Sequence, residues 1–186
     1  MTTRDQDERR RAEWARYRTL YADGYGDPCP RRAATRRYLQ RWLEGHYVKT
    51  WLDVGSGAAD YSDLAASHGI RLTRTDPGIE EGDDVPAHRL ADHYGAASFD
   101  LVTSFDCLEH LLPDELDGCI RQIWETARVA AIVSVGAFRS SWRGHDDLHL
   151  TIATAGDWTT RIADAWGSAT VECPYTDSTP FIWAAK

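Results

Sequence analysis

The sequence predicts an α/β protein built on a mostly parallel sheet of seven strands with helices on both faces. Three observations carry this expectation. From Thr50 onward, short apolar runs alternate with amphipathic stretches, and parallel neighbours need a long crossover of that kind. A glycine turn, Asp53-Val54-Gly55-Ser56-Gly57, follows the first run directly. The last two runs are joined through Pro174, Asp177-Ser178 and Pro180, too little chain for a crossover helix, so they read as an antiparallel hairpin at one edge. The predicted strands are 50–54, 71–75, 87–90, 100–104, 130–135, 169–173 and 180–184, with helices near 59–68, 113–127 and 155–166.

Two helices precede the sheet. Residues 4–22 carry a partial stripe of Trp14, Tyr17, Leu20 and Tyr21 and run into the turn signals Asp23-Gly24 and Gly26-Asp27-Pro28. Residues 31–44 place Tyr38, Leu39, Trp42 and Leu43 on one side, distribute five arginines around the rest, and stop at Gly45. At 186 residues the chain suits one domain, with 1–48 as a helical cap or lid and 49–186 as the core.

Bulk properties exclude several classes. Hydrophobic content of 42% and charged content of 27% fit a soluble globular protein, and the longest apolar run, Val129 to Val133, is far too short to cross a bilayer. The charged start from Arg4 onward has no apolar signal segment, so a cytoplasmic location is expected. Cys29, Cys107, Cys119 and Cys173 lack C-x-x-C spacing, which argues against a zinc knuckle or a redox pair. The net charge of −8 divides into +5 over residues 1–49 and −13 over the remainder. The acidic body disfavours nonspecific duplex binding, and the N-terminal arginines Arg31, Arg32, Arg36 and Arg37 read either as a solvated face or as a phosphate or carboxylate site.

The glycine turn points to a ligand. Gly55 and Gly57 allow a tight turn and close backbone approach, and Asp53 sets a carboxylate at the strand end. A carboxylate there sits badly with a pyrophosphate and well with the cationic amino-acid end of S-adenosylmethionine. A dinucleotide fingerprint would require its third glycine where Asp60 stands.

From about residue 48 to the end, the chain resembles the class I S-adenosylmethionine-dependent methyltransferases, whose sheet is Rossmann-like. The resemblance rests on Leu52-Asp53-Val54-Gly55-Ser56-Gly57, on Asp76 at the next strand end, on Ser98-Phe99-Asp100-Leu101-Val102, and on Asp106-Cys107-Leu108-Glu109-His110-Leu111. It implies that Asp53 with Gly55, Ser56 and Gly57 holds the methionine moiety and that Asp76 accepts both ribose hydroxyls. It also implies that Phe105 joins the cofactor wall and that Asp92, in Leu90-Ala91-Asp92, contacts the base. Ala59 replaces the usual third glycine, adding one methyl group.

Methyl transfer to a hydroxyl needs a positioned acceptor and a proton acceptor. Asp106, Glu109 and His110 would share one side at helical or turn spacing, and strand alternation would put His145, Asp147 and His149 on one face. His145, His149 and Asp106 are therefore the catalytic candidates, and the leading reading takes no metal. Were a divalent metal bound, its ligands would come from Asp106, Glu109, His110, His145 and His149, a set similar to that of the small-RNA 3′-terminal 2′-O-methyltransferases and the ubiquinone-biosynthesis O-methyltransferases. Trp14, Tyr17, Tyr21 and Tyr25 are candidates for a lid; Trp158 and Trp166 fit a helix core stripe, and Trp142 lies in the acceptor loop. The expected function is methylation of a small-molecule hydroxyl, or less readily an amine, using S-adenosylmethionine. The competing readings are metal-assisted 2′-O-methylation of RNA or a nucleotide, and a non-catalytic S-adenosylmethionine-binding regulator or partner subunit.

Overall fold

The computed structural model describes residues 3–25, 30–79, 83–168, 170–172 and 179–186. Among them, six strands form one sheet: β1 Thr50–Val54, β2 Arg71–Thr75, β3 Phe99–Phe105, β4 Ala127–Ser134, β5 Thr170–Glu172 and β6 Phe181–Ala185. Their order is β2-β1-β3-β4-β6-β5, parallel from β2 to β4 and antiparallel at the two β6 pairings. The helices are α1 Thr3–Ala22, α2 Pro30–Glu44, α3 Ser62–Ser67, α4 Leu90–Tyr94, α5 Leu116–Thr126 and α6 Ala155–Trp166. No described helix is long and apolar enough to cross a membrane.

Side-chain alternation along the strands divides the core between two faces. Trp51, Leu101, Ala130, Ile132 and Phe181 pack with Tyr38, Leu39, Trp42 and Leu43 of α2 and Leu64 and Ala65 of α3. Leu52, Val54, Val102, Ala131, Val133 and Ile182 pack with Leu90 of α4, Leu116, Ile120 and Ile123 of α5, and Trp158, Ile162 and Trp166 of α6. Each such large side chain contributes about 1.5–3 kcal/mol of transfer free energy on full burial. The stripes expected on α2 and α6 are therefore core. α6 also begins with a capping box between Thr154 and Asp157 and ends at Gly167 in the left-handed conformation. Asp100 fixes the start of β1 by accepting from the Lys49 and Thr50 N–H groups at 2.8 and 3.0 Å.

The third of the seven expected strands, at 87–90, does not form. Ala87–Arg89 makes a 3-10 turn behind Pro86 and continues into α4, a path that drives Leu90 into the core and leaves His88 and Arg89 half-buried or exposed. What remains of the third strand is a single parallel bridge between Thr75 and Asp83. Pro86 has no N–H to give a ladder, and one apolar anchor in four residues is satisfied equally well by a helical turn. Cys29, Cys173, Pro174, Asp177 and Ser178 lie outside the described residues, as do the side chains of Arg31 and Arg32.

Candidate active site

The cleft forms at the carboxyl ends of β1, β2, β3 and β4. β1 ends at Val54 and the chain turns through Gly55 at φ +66 and Gly57 at φ +51. Gly55 is required twice over, because a Cβ there would also strike Cys107 Sγ and approach Cys107 Cβ to 2.8 Å. Its N–H donates to the Thr75 carbonyl at 2.8 Å, tying the turn to β2.

Two buried carboxylates flank this turn. Asp53, 2% exposed, accepts a 2.6 Å hydrogen bond from the Thr103 hydroxyl, which in turn accepts from the Trp51 indole N–H at 2.7 Å. Burial pushes Asp53 up to about 7, against the lowering influence of Thr103 and the Arg74 guanidinium. Asp76 accepts from the N–H groups of Gly57 at 2.8 Å and Gly78 at 2.7 Å, yet burial still raises it against their lowering influence and that of the neighbouring Tyr21 side chain. Arg74 donates to the Gly57 carbonyl at 3.0 Å. The Ser56 hydroxyl is buried in the turn with no hydrogen-bond partner among the described residues.

The cleft encloses about 190 Å³. Thr35, Phe105 and Asp106 line one end, and Val85, Pro86, Ala87 and Cys107 give it an apolar wall. Trp14, Tyr17, Tyr21 and Tyr25 form the roof. α1 is tied over the opening by Arg16 donating to the Asp146 carbonyl at 2.7 Å and Arg18 to the Pro77 carbonyl at 3.0 Å. Arg143 donates to the Asp23 carbonyl at 3.0 Å, Trp142 packs edge-on to Tyr25, and Arg10 pairs with Glu115.

A second polar group closes the end of the cleft beyond β3 and β4. Glu109 is fully buried: its carbonyl accepts from the Leu150 and Thr151 N–H groups, and Oε1 accepts from Gly136 N–H at 2.7 Å. A Cβ on Gly136 would come within 2.7 Å of both Glu109 Oε1 and His149 Cε1, so glycine is what lets these groups meet. His149 Nδ1 lies 2.5 Å from the Phe138 carbonyl and therefore donates to it, which leaves the Nε2 lone pair facing Glu109 Oε1 at 3.9 Å. His110 Nδ1 stands in the same relation to the Leu148 carbonyl at 2.8 Å. Glu109, His110 and His149 offer ligand atoms that all lie within 4.8 Å of one another.

One cleft thus gathers Asp53, Gly55, Ser56, Gly57, Asp76, Phe105, Asp106, His110 and His149. Asp92 stands apart from this group. It sits on α4 with its side chain 65% exposed, beside Arg89, and the cleft wall near it is made by Val85 to Ala87 instead. His145 also stands apart from it. No strand forms there: Trp142 and His145 close a tight turn on each other, and Asp147 at φ +52 breaks any alternation, so His145 is held outside the cleft while His149 is inside. Arg36 is committed to Asp63, with N–O distances of 2.8 and 2.5 Å. Thr103 was not anticipated, because its pairing with Asp53 depends on the β1–β3 register.

No protein-family model and no curated protein matches this chain, whereas solved structures do. The chain has the fold of the S-adenosylmethionine-dependent methyltransferases. It is similar to the 1,6-didemethyltoxoflavin-N1-methyltransferase of Burkholderia thailandensis, solved with 1,6-didemethyltoxoflavin and S-adenosylhomocysteine, at 19% identity and TM-score 0.61 over 94% of this chain and 89% of that one. It is also similar to the DhpI–S-adenosylhomocysteine complex, at 14% identity and TM-score 0.66 over 93% and 94% of the two chains. A third neighbour is the methyltransferase domain of bacterial CtHen1-CN, at 14% identity and TM-score 0.59 over 82% of this chain and 97% of that one.

Proposed function

We propose that this chain is an S-adenosylmethionine-dependent methyltransferase that methylates a hydroxyl of a small-molecule acceptor. The observation that carries the reading is the pair of buried carboxylates, Asp53 and Asp76, on either side of a glycine turn that holds a buried, unpartnered Ser56 hydroxyl. An ammonium group beside Asp53 would favour the ionised form that burial disfavours, and Asp76, acceptor-only when ionised, suits a vicinal diol. Val85, Pro86 and Ala87 supply an apolar wall for the base. When bound, S-adenosylmethionine supplies an electrophilic methyl group on a sulfonium. The chain's own task is to orient the acceptor and to take its proton.

His149 is the residue for the proton. Its tautomer is set by the Phe138 carbonyl, Nε2 is its basic nitrogen, and Glu109 stands close enough to stabilise the imidazolium that forms. Asp106 lines the same cleft and would orient the acceptor hydroxyl. The test is transfer of labelled methyl from S-adenosylmethionine to a panel of hydroxylated compounds and their amine counterparts. Labelling of hydroxyl acceptors by the parent and not by His149→Asn is expected, and labelling of amines alone would refute the assignment to oxygen.

A second reading is favoured by one specific observation, the convergence of Glu109, His110 and His149. Both imidazoles have Nδ1 directed to a backbone carbonyl, the arrangement that orients neutral histidine for metal binding through Nε2. A carboxylate and two imidazoles suit a divalent cation, which would lower the pKa of vicinal hydroxyls such as those of an RNA 3′ ribose. Activity abolished by chelator and restored by magnesium or manganese would favour this version, and full activity in chelator rejects it.

A further inference from the structure

Tyr17 and Tyr21 stand one helical turn apart on α1, and both direct their hydroxyls into the cleft. Tyr21 lies against the turn beside Asp76: a Cβ on Gly78 would fall 2.8 Å from its ring and 3.0 Å from Asp76 Oδ1, and one on Gly57 would fall 2.9 Å from its hydroxyl. A carboxylate offers about four lone-pair positions. The Gly57 and Gly78 N–H groups take two of them at Asp76, which leaves the two that a ribose diol needs, on a turn that Tyr21 covers. Tyr17 does the equivalent in the acceptor half. Its hydroxyl lies 2.5 Å from His110 Nδ1 and donates to the Leu148 carbonyl at 3.3 Å, directly beside the His110–His149 pair.

We propose that α1 is a self-docked plug, in which Tyr21 stands in for a ribose hydroxyl at Asp76 and Tyr17 closes the acceptor half, so that nucleoside binding releases both. This rests on the reading of Asp76 as the ribose carboxylate. The remaining ties of α1 are suited to reversible release. Arg16, Arg18 and Arg143 act through single hydrogen bonds to backbone carbonyls, Arg10 adds one part-buried ion pair with Glu115, and Leu20 alone is fully buried among the described side chains of the helix. Because one rigid helix carries both tyrosines, vacating Asp76 uncovers His110, and the acceptor binds after the methyl donor.

Calorimetric titration of the full chain with S-adenosylhomocysteine tests this, on the parent, Tyr21→Phe and Tyr17→Phe. Tyr21→Phe should bind about tenfold more tightly, the scale of one hydrogen bond to a charged group. Tyr17→Phe should also tighten binding several-fold, although its hydroxyl bonds only the acceptor half, because the same helix has to leave. In the parent, amide exchange across residues 14–22 should accelerate when S-adenosylhomocysteine is added, a measurement that needs no variant. Unchanged or weaker binding by Tyr21→Phe overturns the proposal, as does slower exchange of α1 in the complex. A tighter Tyr21→Phe with a neutral Tyr17→Phe overturns the joint release. Failure of the parent to bind S-adenosylhomocysteine would instead refute the methyl-donor reading on which the proposal stands.

Discussion

The two halves of the cleft are held together by different means. The nucleoside half is built from strand ends and glycine backbone: Asp53 and Asp76 sit on or just beyond paired strands, and their partners are a β3 hydroxyl and main-chain N–H groups. The acceptor half is built from the loops after β3 and β4 and from α1, with His110 and His149 aimed by loop carbonyls and Glu109 held by Gly136 N–H. Strand ends place a group to within the tolerance of the sheet, whereas loop-borne groups depend on several distant segments agreeing. The first half should therefore tolerate change in its surroundings and the second should not.

The largest expected separation of the halves is in turnover. His149→Asn should lower kcat by about 10²–10⁴, the range for general acid–base groups, while S-adenosylhomocysteine affinity stays at the parent value. Equal losses in both quantities would show that the halves are one unit. Gly55→Ala should act the other way, costing roughly 2–4 kcal/mol of stability through backbone strain and overpacking and removing nucleoside binding. Thermal unfolding would read this, and adding Cys107→Ala should recover only part of the steric share, since it removes Sγ and leaves the Cβ at 2.8 Å. Asp76→Ala should weaken S-adenosylhomocysteine by about 1.5–3 kcal/mol, or roughly 10–100-fold, measured by calorimetry.

A smaller effect comes from pH. Asp53 is raised to about 7, so between the ordinary carboxylate range and 7 the folded protein holds a proton that the unfolded chain has lost. Its contribution to stability is then greatest at low pH and is lost as pH rises through about 7. Binding of a cation beside it requires the ionised form, so S-adenosylhomocysteine affinity should rise with pH by up to about tenfold per unit below that value and level off above it. Asp53→Asn should flatten the profile. A steep profile surviving in that variant would assign the titration elsewhere. The smallest effect is expected at the exposed Arg36–Asp63 pair, where Arg36→Ala should leave both halves and the thermal midpoint unchanged.

The same division explains what could be read from the chain alone. β1, Asp53 and the glycine turn are contiguous, Asp76 directly follows the next short strand, and each local choice agrees with its neighbours, so they are legible without knowing the fold. The Trp51–Thr103–Asp53 chain is not, because it exists only once β1 and β3 are in register. At 145–149 the alternation that seemed to group His145 with His149 is defeated by the left-handed residue Asp147 and by the turn at 142–145, both of which are decided by contacts with Tyr25, Asp23 and α1. The strand expected at 87–90 failed for a related reason. A run with one strong apolar residue satisfies a helix and a strand alike, and Leu90 finds its core position from α4.

The reduction of the third strand to one bridge leaves β2 as the outermost strand of the described sheet on that side. A bare outer strand invites association between molecules through its backbone. β2 carries the exposed Arg71 at the start of a five-residue run, and a positive side chain at a margin repels a second copy of itself. With Arg74 turned to the Gly57 carbonyl, Arg71 is the charge at this margin, and replacing Arg71 with valine should favour association of copies through β2.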